Sequence, residues 1–188
     1  MISVEVMQLW GARITFAAGV IVFLLIGCLS FLATQERQHF WEPLARNKWI
    51  GLFAGWIALA LCVPHAVVVV PEFLLPWLWP VAVIIPVLGF FAVDYPAARA
   101  LGGGLILLGY YLVHFSFEFR TPGFPVIAVA GWLSGIAGIW ISGKPCAMRD
   151  YFRMLALRKG MRRAACAFWG AEALLALWAL VMTKGGAQ

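Results

Sequence analysis

Residues 14–33 read ITFAAGVIVFLLIGCLSFLA, twenty positions without a charge. Twenty residues of α-helix rise about 30 Å, which is the hydrocarbon thickness of a bilayer. This run therefore predicts a membrane-spanning helix. The prediction decides the fold class, because runs of the same character follow at 49–70, 73–93, 100–117, 126–142 and 164–183. The expected architecture is all-α: a polytopic transmembrane bundle of six spans, forming one integral membrane domain over residues 1–188. Residues 1–13 read as a short polar-to-amphipathic lead ending at Arg13.

Composition points the same way. The chain is 64% hydrophobic and 12% charged, with a mean hydropathy of +0.92. A soluble domain carries roughly twice that share of charge, so the apolar excess has to face lipid. After six spans no stretch is left for a separate soluble domain. Cys28, Cys62, Cys146 and Cys166 form no C-x-x-C pair and no Cys/His cluster. Neither a disulfide framework nor a metal site is indicated, and no cofactor motif is present.

The third span is the least regular, with Pro76, Pro80 and Pro86 inside eleven residues. Proline removes a backbone donor and kinks a helix. The alternative reading is an interfacial segment, Pro76-Trp77-Leu78-Trp79-Pro80, followed by a short half-helix. Charge favours a full span. With six spans, eleven of the fourteen Lys and Arg residues fall in the loops 34–48, 94–99 and 143–163, all on one side. The positive-inside rule makes that side cytoplasmic and leaves both termini outside. Removing the third span puts the 34–48 loop opposite 143–163 and weakens the bias. The short extramembrane parts fit a bacterial inner membrane. Leu25-Ile26-Gly27-Cys28 has the outline of a lipoprotein cleavage motif. However, the apolar run continues past Cys28, and a signal orientation there would reverse the charge bias.

The net charge of +6 is read as this topogenic bias rather than as a nucleic-acid surface. Half of the basic residues lie between Lys144 and Arg163. Met148, Tyr151, Phe152 and Leu155 follow the i, i+3, i+4, i+7 spacing of a helix face. The spacing predicts an amphipathic basic segment over 147–163 on the cytoplasmic membrane surface, broken by Gly160. Arg149, Arg153, Arg158, Lys159, Arg162 and Arg163 would contact anionic headgroups or a protein partner.

Ionisable residues inside a span cost about 2.5–3.5 kcal/mol on insertion scales, so each one present needs a reason. Glu172 lies near the middle of span six. It is either a proton or cation site, or a neutral acid hydrogen-bonded to a neighbouring helix. His114 and Glu118 are four apart on span four and share a face, which Tyr110 and Tyr111 extend one turn earlier. His65 in span two reaches a similar depth. If His65, His114 and Glu118 converged they could bind a metal or relay a proton, or with Tyr111 form an outer site acting on a lipid. Gly51/Gly55 and Gly131/Gly135, the latter extended by Ser134 and Gly138, are small-residue patterns that let helices approach closely.

The function expected from these features is a non-enzymatic membrane subunit or scaffold with membrane-protein partners. The first alternative is a small transporter or channel using Glu172, and the second is a lipid-acting enzyme.

Overall fold

The computed structural model describes residues 4–144 and 146–183, and within these all side chains except those of residues 4–8, 38, 45, 64, 65, 68 and 69. The described chain is all-α and contains no strand. Helix α1 runs Val4–Leu32. A 3-10 turn (Gln35–Arg37), the single-turn α2 (Gln38–Trp41) and another 3-10 turn (Leu44–Arg46) lead to α3, Lys48–Val69. A 3-10 segment, Glu72–Trp77, precedes α4, Leu78–Ala92. The remaining helices are α5 (Pro96–Glu118), α6 (Phe124–Gly143), α7 (Cys146–Leu157) and α8 (Lys159–Met182).

Among the described residues, five helical stretches are long and apolar enough to cross a membrane: Leu9–Leu32, Glu72–Ala92, Pro96–Glu118, Phe124–Gly143 and Lys159–Met182. In α3, 22 residues long, the apolar run over described side chains is Lys48–Val63.

Two boundaries differ from the sequence reading. Residues 4–13 are not a lead but the first turns of α1. Hydropathy marks the lipid-soluble length of a helix, and the backbone hydrogen-bond ladder continues through polar residues beyond it. The break before the last span falls at Arg158, whose extended backbone (φ −117°, ψ 99°) starts α8, and not at Gly160, which lies inside that helix. In the first turn of a helix a glycine sacrifices little, since those amides have no intrahelical partner.

The prolines of the third span combine both expectations. Pro76 sits in the 3-10 segment. Pro80 sits in the first turn of α4, where its missing N–H costs nothing. Pro86 alone is interior, and it is buried. Elsewhere the helix ends follow local chemistry. The Asn47 side chain accepts from Ile50 N at 3.0 Å and caps α3. Pro96 opens α5 with its φ already set for a helix. The end of α5 is wrapped by Thr121 N–H donating to Ser116 O (3.0 Å) and Arg120 N–H donating to Phe117 O (3.1 Å). This closure needs a left-handed residue, and Arg120 supplies it at φ 43°.

The chain divides into two compact units, one of residues 1–37, 108–135 and 152–188, the other of 38–107 and 136–151. In the first unit α1 packs extensively along α8. Phe23 stacks on Trp169 with centroids 5.9 Å apart. Phe16, Phe23, Leu112, Ile127 and Leu155 are fully buried. A Cβ on Gly19 would stand 3.5 Å from both Ala176 and Leu108, so three helices meet there. A Cβ on Gly109 would collide with Gly131 O and lie 3.1 Å from Gly135 N. The α5 and α6 backbones thus touch at glycines, as the small-residue pattern of Gly131 and Gly135 implies. The α8 side chain of Trp178 donates from Nε1 to Pro122 O at 3.0 Å.

In the second unit α3 packs on α4. Trp56 Nε1 donates to Val83 O at 3.0 Å, and Trp49 meets Phe90 edge-on with centroids 5.2 Å apart. Gly51 faces the backbone of Pro96 and Ala97, where a Cβ would come within 2.7 Å. Gly55 meets Pro86 at ordinary contact distance, 3.4 Å. Gly138 faces Gly102, and Ser142 Oγ donates to Arg99 O at 3.3 Å while Arg99 Nη1 donates back to Ser142 O at 3.4 Å. On α4, Val83, Ile84, Ile85, Leu88 and Phe91 are exposed, the condition of a helix surrounded by lipid rather than by protein.

Candidate functional site

The first unit holds an isolated polar pair in its apolar core. Glu172 lies on the face of α8 that also buries Trp169, Ala173, Ala176 and Ala179. It is 3% exposed. The side-chain group facing its carboxyl is the hydroxyl of Ser134 on α6, itself 0% exposed. Neither Ser134 Oγ nor Glu172 Oε2 completes a hydrogen bond of ordinary geometry with the described residues. Two other buried serines of the unit behave differently. Ser30 Oγ donates to Ile26 O at 2.7 Å and Ser116 Oγ to Val113 O at 3.0 Å, the back-bonding normal for serine in a helix. Ser134 makes no such bond. Spacing alone marks Ser134 as no more than a small packing residue. Its one signal was being the only hydroxyl in the middle of α6.

The His114 group resolves into two stripes on α5. His114 Nε2 and Glu118 Oε2 are 3.4 Å apart. Tyr110 stacks on the His114 ring at 5.7 Å with 7° between planes. Tyr111 lies on the adjacent stripe, stacked on Phe115 at 5.7 Å, and Phe115 in turn meets Phe119. The two stripes touch, Tyr110 meeting Tyr111 with ring centroids 5.6 Å apart and His114 meeting Phe115 at 5.3 Å, so residues three and four apart share one side of α5, with Tyr110 directly on the His114 ring. His114 is exposed. The side chain of His65 lies outside the described residues, while its backbone belongs to α3. No group of three metal-ligating side chains occurs among the described residues.

Two concavities open on the first unit. One is lined by the turn from Phe117 to Phe124, including Glu118 and Arg120. The other is an apolar groove between α1 and α8 lined by Phe23, Leu24, Gly27, Cys28, Phe31, Leu32, Cys166 and Gly170. Glu172 lines neither.

The basic segment has one face committed. Of the apolar stripe of α7, Met148, Phe152 and Leu155 are 6%, 3% and 0% exposed and Tyr151 is half-buried, so most of the stripe is covered by protein and not left for lipid. Arg153, Arg158, Lys159 and Arg163 are exposed, and Arg149 and Arg162 partly so. Arg149 pairs with Asp150 at 3.3 Å, and that hydrogen bond pushes its guanidinium above the ordinary arginine value. The outward face of α7 and the start of α8 is thus a mainly cationic surface, in which Leu157 and Met161 are the exposed apolar side chains.

Comparison with protein-family models, curated proteins and solved structures finds no match. The arrangement offers two chemistries: a buried acid that can hold a proton, and a cationic surface that can hold acidic groups.

Proposed function

We propose that this chain is a six-span integral membrane protein, with both termini outside, acting as a non-enzymatic subunit or scaffold of a membrane complex in a bacterial-type inner membrane. The observation that supports this reading most is the orientation of α7. Most of its apolar stripe is used up inside the protein, at Met148, Phe152 and Leu155, so its basic face remains to engage an acidic surface. An amphipathic helix that served only to rest on the bilayer would keep its apolar face for the acyl boundary. Arg153, Arg158, Lys159, Arg162 and Arg163 are suited to acidic segments of a partner and to anionic headgroups at the cytoplasmic face. The close glycine contacts inside each unit make a rigid support for that surface.

The test is native mass spectrometry after mild extraction from the source membrane, on the wild type and on the triple variant Arg149→Glu, Arg153→Glu, Arg158→Glu. A defined stoichiometric complex that the triple variant loses, with insertion unchanged, is the expected result. A lone monomer from wild-type membranes would refute the subunit reading.

A further inference from the structure

Among the described residues of the first unit, the helix stretches around the Glu172–Ser134 pair carry no charge that could balance it. Glu172 is nine residues past Arg163 and ten before the end of α8, hence about 13–15 Å from either end. Between Arg163 and its last residue, α8 carries no other charged side chain. The apolar length of α1 has none from Ile14 to Leu32, α5 has none between Arg99 and His114, and α6 has none at all. On α1 the residues facing this stretch of α8 are Gly19, Phe23 and Gly27. On α5, Leu108 and Leu112 meet α1 at Gly19, where Ala176 of α8 also lies. The polar neighbour is Ser134. A carboxylate anion buried among such groups has neither a counter-ion nor enough donors. A carboxylic acid has one O–H to donate and an oxygen left to accept from a hydroxyl, which matches the two atoms that stand unsatisfied, Glu172 Oε2 and Ser134 Oγ.

We propose that Glu172 and Ser134 form a proton-binding site in the core of the first unit. Glu172 is the resident acid, neutral at physiological pH, and Ser134 exchanges a hydrogen bond with it across the α6–α8 contact. The bound proton joins two helices that are otherwise held by apolar packing, and its loss would leave a bare anion between them. The site is independent of the subunit reading, since it rests on the core and not on α7.

Two readouts other than activity test it. In the purified full chain in detergent at neutral pH, infrared spectra should contain the carbonyl stretch of a protonated carboxylic acid, and Glu172→Gln should remove it. Ser134→Ala should keep the band and move it to higher wavenumber, as expected for a carbonyl that loses a donor. Independently, dicyclohexylcarbodiimide adds across the O–H of a neutral acid with no leaving group, so the peptide containing Glu172 should gain the mass of one carbodiimide. A water-soluble carbodiimide should leave it unlabelled. If Glu172→Gln does not fold, site-resolved labelling of the wild type decides alone. Absence of both band and label overturns the proposal. Labelling slowed by sodium but not by choline also overturns it, and assigns the site to a metal cation instead.

Discussion

The glycine contact between α5 and α6 in the first unit makes a sharp prediction, because two glycines one residue type apart in nothing but position should respond oppositely to the same methyl group. A Cβ on Gly109 would run into the Gly131 carbonyl oxygen and lie 3.1 Å from Gly135 N and 3.3 Å from its Cα. All three are backbone atoms, so no side chain can swing aside. Restoring ordinary contact requires the two helices to part by about 1 Å, loosening the packing around them. Overpacking of this kind costs about 1–3 kcal/mol. A Cβ on Gly135 meets nothing within 4 Å. There, alanine brings only its better helix propensity, so Gly135→Ala should be neutral or up to about 1 kcal/mol more stable. Reversible unfolding of the detergent-solubilised chain by titration with dodecyl sulfate, followed by circular dichroism, measures both. Equal shifts for the two variants, or a Gly109→Ala protein as stable as wild type, would refute the backbone-to-backbone contact.

Three further outcomes follow. In the second unit Gly51→Ala should destabilise markedly, because its Cβ meets the Pro96–Ala97 backbone within 2.7 Å, whereas Gly55→Ala, 3.4 Å from Pro86, should fall within about 0.5 kcal/mol of wild type in the same titration. Arg120→Gly should stabilise by about 1 kcal/mol, since φ 43° strains any residue with a Cβ; a loss of stability would mean that the arginine side chain contributes more than its backbone costs. Reversal of charge at Arg153, Arg158 and Lys159 should weaken flotation with vesicles containing anionic lipid at low salt and change little at high salt, where screening has already removed the attraction; salt-independent binding would place lipid contact elsewhere.

Much of the fold was legible because membrane helices announce themselves by length and apolarity. The run 14–33, the Pro/Trp segment at 76–80 and the spacing of Met148, Phe152 and Leu155 each led to an observed element. What was not legible depends on which helices meet. Glu172 could be recognised as out of place, but its partner Ser134 lies 38 positions away on a different helix, and no local pattern connects them. The same holds for Gly109, whose contact with Gly131 needs the antiparallel placement of α5 and α6. Tyr110 and Tyr111 both lie within a turn of His114, but which ring each one packs on, His114 for Tyr110 and Phe115 for Tyr111, is decided by side-chain placement that spacing does not give. The destination of the α7 apolar face was also hidden, since amphipathicity shows that a face must be covered but not by what. The break at Arg158 instead of Gly160 reflects a loop that uses an ordinary extended residue and leaves the glycine inside the helix.

The proposed topology, with the loops 34–48, 94–99 and 143–163 on one side of a membrane, underlies the whole account, and cysteine accessibility tests it most directly. In a chain with Cys28, Cys62, Cys146 and Cys166 replaced by alanine, single cysteines at Glu36, Asp94 and Lys159 are compared with ones at Glu72 and Pro122. A membrane-impermeant maleimide applied to intact cells should label positions 72 and 122, and should reach 36, 94 and 159 only after the membrane is opened. Labelling of position 36 from the side opposite to 159 would contradict six spans.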